Sequence, residues 1–109
     1  RAMISKVMYA VDEPSLAALL IGKIARASEL NVKFILREGC HYVAKDIPLP
    51  SELLITVIGN VLDNAFEAMN IHNNFDQPKE LLFGIFSKPG AMLMDIPQKE
   101  KAGERDYIK

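Results

Sequence analysis

A chain of 109 residues is long enough for one domain with one modest core. Half of the residues are hydrophobic and 13 Lys and Arg nearly balance 14 Asp and Glu, leaving a formal net charge of -1. That balance excludes the basic excess of a nucleic-acid-binding protein and any polybasic membrane anchor, and the lone Cys40 excludes an internal disulfide.

The longest apolar run, residues 16–21, is too short to cross a bilayer, and no signal peptide is evident, so a soluble domain without direct membrane insertion is expected. In chain order, Met3, Ile4, Val7 and Met8 are spaced as on the end of an amphipathic helix. Asp12 is the expected N-cap of the next helix and Pro14 suits its first turn. Leu16, Leu19, Leu20, Ile24 and Ala27 then recur at helical spacing, with Lys23, Arg26 and Glu29 on the wet face and Asn31 as a stop.

Residues 32–37 alternate, with Val32, Phe34 and Leu36 on one face and Lys33, Ile35 and Arg37 on the other, which predicts a half-buried strand. Glu38-Gly39 is read as a turn and 42–44 as a second short strand, after which Pro48 and Pro50 break the chain. A helix is predicted over 51–70, with Leu54, Ile58, Val61, Leu62, Ala65 and Met69 as its apolar stripe. Residues 71–78 read as a loop. Strands over 81–86 and 91–96, joined by Lys88-Pro89-Gly90, read as a hairpin. Residues 98–109 read as a charged, solvated tail. The order predicts an α+β, two-layer sandwich with helices on one face of a largely antiparallel or mixed sheet.

The chemistry lies in the helix over 51–70. At about 100° per residue, Asn60, Asn64 and Glu67 fall within roughly 60° of arc, flanked by Thr56 and Asp63. Asn is unusual inside a helix because its amide competes with the backbone for hydrogen bonds. Amide oxygens are hard donors that suit Mg²⁺ beside phosphate oxygens. From spacing alone, a solvated polar strip is the commoner arrangement. Cys40 beside His41 lacks a third orienting group, and neighbours in sequence rarely form a nucleophile and base. His41 and His72 are read as surface histidines.

The segment Gly59-Asn60-Val61-Leu62-Asp63-Asn64-Ala65-Phe66-Glu67-Ala68 resembles the N-box of the GHKL ATPase superfamily, which includes gyrase and the sensor histidine kinases. Its local form particularly resembles that of the citrate and dicarboxylate sensor kinases. Residues 15–30 resemble the stretch that joins dimerisation and catalytic domains in that subfamily, and the resemblance covers about residues 3–96. It implies a partial GHKL fold, with 1–13 as the end of a dimerisation or linker helix, 14–97 as a partial ATP-binding catalytic domain and 98–109 as the tail. It further implies that Asn64 ligates Mg²⁺ between the phosphates of ATP. Asn60 would line the same phosphate and water region, with Asp63 and Glu67 in support. The parent protein would transfer the γ-phosphoryl group to a histidine on a dimerisation helix and would work with a response regulator. It would be an inner-membrane sensor of which this is a cytoplasmic domain.

The chain departs from the pattern after the hairpin. The family's Asp-x-Gly-x-Gly box, which binds adenine, is not found, and Met94-Asp95-Ile96 runs into Pro97-Gln98-Lys99. No adenine role is therefore carried onto Asp95, and Ile96-Pro97-Gln98 instead resembles the end of the last strand of such kinases. The chain is expected to be cut short of the glycine boxes and lid, to bind ATP poorly or not at all and to be inactive by itself. The phosphoacceptor histidine should precede residue 1. The alternative is a non-enzymatic interaction or dimerisation module with a degenerate nucleotide site, in which Met3, Ile4, Val7, Met8 and Leu16 form an interface with another copy, as a homodimer, or with a sensor segment. Sheet edges left exposed by truncation would favour it. Residues 3–8 fit core packing and interface equally well.

Overall fold

A computed structural model describes residues 2–71 and 79–97. The loop read over 71–78 and the tail over 98–109 fall outside these, apart from Ile71, which ends a helix. The elements are α1 (Ala2–Ala10), α2 (Pro14–Glu29), β1 (Val32–Leu36), a short 3-10 turn (Ala44–Asp46), α3 (Ser51–Ile71), β2 (Lys79–Lys88) and β3 (Ala91–Asp95). The arrangement is α+β, as expected.

Local chemistry sets the boundaries. Pro14 occupies the first turn of α2, so the cap is the residue before it: Glu13, whose side chain accepts from the Leu16 N–H at 2.9 Å. The expected cap, Asp12, is one residue too early. Its carboxylate instead accepts from the Ala44 N–H at 2.8 Å and ties the N-terminal segment to the 3-10 turn. At the other end of α2 the Leu30 N–H bonds to the Arg26 and Ala27 carbonyls, and Asn31 takes a left-handed φ of 60°, a conformation its short amide tolerates.

The sheet is mixed. β1 runs parallel to β2, pairing Val32 with Lys79 through to Leu36 with Phe83, and β2 runs antiparallel to β3 around the turn at Gly90. The strand expected over 42–44 is reduced to isolated bridges. Beyond β1 the chain loops out through Glu38-Gly39 and returns to the same edge of β2, where the His41 N–H donates to the Ile85 carbonyl and the Ser87 N–H to His41. Tyr42 then bonds to Ala10 and Asp12 on its other side. Val43 turns away to donate to the hydroxyl of buried Ser87, and the 3-10 turn follows. With its N–H groups divided among three partners, 42–44 has no continuous ladder.

Phe34 on β1 and Leu81, Phe83 and Ile85 on β2 are buried on the face covered by the helices. The Phe34 and Phe83 rings meet with centroids 6.0 Å apart. Leu16, Ala17, Leu20 and Ala27 of α2 and Leu54, Ile58, Leu62 and Phe66 of α3 complete the core, which also takes in Val7 and Val11. Of the rest of the expected stripe on α3, Ala65 and Met69 are half-buried against it, and Val61 is half-buried. No helix among the described residues is long and apolar enough to cross a membrane.

Candidate functional site

α3 buries one side and leaves the other open. Asn60, Asp63, Asn64 and Glu67 all lie on the open side. Asn60 and Asn64 stand one turn apart, and among the described residues neither side-chain amide has a hydrogen-bond partner. The surface beside them is partly apolar, because Leu53 and Val57 of the preceding turns are 49% and 45% exposed.

The two carboxylates are turned toward α2. Asp63 Oδ1 lies 2.7 Å from Lys23 Nζ, and this pair joins the two helices. Asp63 and Glu67 form one rim of a cleft of about 650 Å³, Lys23 and Arg26 the other, with Leu19, Gly22 and Phe66 between them. The four residues singled out in the sequence thus share one face but divide in role. The amides face outward, while Asp63 is committed to a cation on α2. Lys23 and Arg26 read in sequence as a wet face, and only the packing of α2 on α3 brings them beside Asp63 and Glu67.

Amide oxygens and no cage of acids is a donor set that suits a metal arriving with its own oxygen ligands. Among the described residues no three His, Cys, Asp or Glu side chains cluster as a metal site. Magnesium held through one or two protein oxygens, with phosphate and water supplying the rest, matches Asn60 and Asn64.

Cys40 and His41 do not form a catalytic pair. Burial pushes the Cys40 thiol up, partly opposed by a backbone hydrogen bond from Ile85. The two ring nitrogens of His41 face the Gly39 carbonyl at 3.2 Å and the Ser87 carbonyl at 2.8 Å. The shorter contact requires Nε2 to donate, so His41 acts as a strap between the loop and β2. His72 lies outside the described residues.

No family model matches the chain, and no solved structure matches it. Known proteins do. "Sensor protein CitS" of Bacillus subtilis (strain 168) is 37% identical over 114 residues, covering 93% of this chain and 20% of that protein. "Sensor histidine kinase DpiB" of Escherichia coli (strain K12) is 38% identical over 66 residues, covering 61% of this chain and 12% of that protein. "Sensor histidine kinase CitA" of Klebsiella pneumoniae is 42% identical over 53 residues, covering 49% of this chain and 10% of that protein. The chain therefore spans a fifth or less of the length of these relatives. Its homologues, matched along most of its length in one case and along about half in the others, are sensor histidine kinases of the CitS, CitA and DpiB type.

Proposed function

We propose that residues 14–97 are part of the ATP-binding catalytic domain of a two-component sensor histidine kinase, with 1–13 the end of its dimerisation or linker helix. The observation that carries this reading is the pair of amides Asn60 and Asn64, one turn apart on the open face of α3 and without a partner among the described residues. Asn64 would hold Mg²⁺ through its amide oxygen and Asn60 would line the phosphate and water region. The metal would supply electrostatic stabilisation of the phosphoryl group, and the helix supplies its position. In the parent protein the γ-phosphoryl group leaves ADP for a histidine nitrogen on the dimerisation helix and then serves a response regulator. The parent is a membrane sensor, and this segment lies on its cytoplasmic side.

A second reading has its own support. Val7 of α1 is fully buried, but Ile4 and Met8, one turn apart, are 40% and 64% exposed. An apolar pair at that spacing suits a helix–helix contact with another copy.

Calorimetric titration of the chain with Mg²⁺ and a non-hydrolysable ATP analogue, with Asn64→Ala as control, tests the first reading. Saturable, magnesium-dependent heat that Asn64→Ala abolishes supports a nucleotide site on α3. The same trace from both proteins refutes it and leaves association through α1 as the better account.

A further inference from the structure

A nucleotide triphosphate with one Mg²⁺ remains an anion, yet α3 carries two carboxylates beside the amides that would receive it. Asp63 immediately precedes Asn64 and follows Asn60 by one turn, and Glu67 lies one turn further on. An uncompensated carboxylate there would repel the polyphosphate. The structure supplies a compensating charge from a different element. Lys23, on α2, has its Nζ 2.7 Å from Asp63 Oδ1, and its side chain is only 20% exposed. Arg26, the other cation of the cleft, is engaged by Glu29 of its own helix at 3.1 Å. Among the ion pairs of the described residues, only Lys23–Asp63 joins α2 to α3.

We infer that Lys23 is a positioning residue of the nucleotide site: it neutralises Asp63 beside Asn64 and so lets a polyphosphate approach the amides. The inference rests on the nucleotide-binding reading of α3 and changes the role of Asp63. Asp63 is then not a ligand-supporting group but a charge that must be masked, and the anchor that holds Lys23 against α3.

This assigns opposite signs to the two partners. In calorimetry with Mg²⁺ and adenylyl imidodiphosphate, Lys23→Met exposes the carboxylate and raises the dissociation constant about threefold, as one charge near an aqueous site does. Asp63→Asn frees the ammonium and lowers the constant by a similar factor. The double variant returns to within about twofold of the starting chain, and Lys23→Arg stays near it. Both shifts shrink as salt is raised, because exposed charges are screened within about a Debye length. A merely structural bridge would weaken binding from either side, and thermal melts of the same variants identify any that fail to fold. Weaker binding by Asp63→Asn, or unchanged binding by Lys23→Met while Asn64→Ala abolishes it, overturns the inference alone. Identical titrations of the starting chain and Asn64→Ala overturn the nucleotide reading, and the inference with it.

Discussion

Asn60 and Asn64 show how a residue type can point to chemistry when its position is unfavourable for structure. An amide inside a helix costs helix propensity, and on an otherwise apolar helix the spacing of two of them was legible without coordinates. The partners of the neighbouring acids were not, because Lys23 lies 40 positions from Asp63. Cys40 is the converse case, a conspicuous neighbour of a histidine whose surroundings disfavour the reactive thiolate. Burial pushes the ionisation of its thiol to higher pH, so the folded chain favours the neutral thiol. Its contribution to stability is therefore intact below the ordinary thiol range, near about pH 8.5, and declines as pH rises through and beyond it. Tyr42 acts in the same direction at higher pH, pushed up by burial and then by Glu13 and Asp12. The expected outcome is that iodoacetamide modifies Cys40 at pH 7.5 more slowly than it modifies a free thiol, with the rate rising toward that of the free thiol under denaturant.

Among the elements, α2 and α3 were readable almost to the residue, because an apolar stripe at helical spacing and a proline at the first turn are local signals. The cap shifted from Asp12 to Glu13 for a reason that is also local: the proline fixes the first helical position. The strand expected over 42–44 failed for a reason that is not, since its backbone groups are claimed by Ala10, Ser87 and Asp12 from separate parts of the chain. The α2–α3 contact also holds a residue with room to improve. Gly59 is buried in α3, and a Cβ there would meet Leu19 Cδ1 at 3.6 Å, an ordinary contact. Gly59→Ala should stabilise the chain by up to about 1 kcal/mol, since glycine costs that much within a helix. A higher midpoint in urea, with an unchanged slope, is the expected result.

For the whole molecule, the core is one continuous cluster from Val7 to Ile85, to which α2, α3, β1 and β2 all contribute. Leu62, with no exposed surface, belongs to that cluster, whereas Leu53 on the same helix is 49% exposed. Leu62→Ala should cost about 2–5 kcal/mol and Leu53→Ala less than about 1 kcal/mol, measured by chemical denaturation. Equal losses would mean that the open face of α3 is covered in solution. Gly84 marks a similar constraint on the outer face of the sheet. A Cβ there would lie 2.7 Å from Phe86 Cε1 and 3.1 Å from Arg37 Cδ, where Arg37 reaches over to bond Asp95.

What the sequence determined by itself was periodic or locally punctuated: three helices, the alternating strand read over 32–37, the hairpin, and two amides placed on one helical face. These follow from side-chain geometry within a few residues, where no distant partner intervenes. The tertiary structure decided that β1 lies parallel to β2, that 42–44 is divided among three partners, and that Asp63 faces Lys23 across a cleft. Each of these depends on which segments pack together, and neither propensity nor spacing encodes the identity of a partner 30 or more positions away.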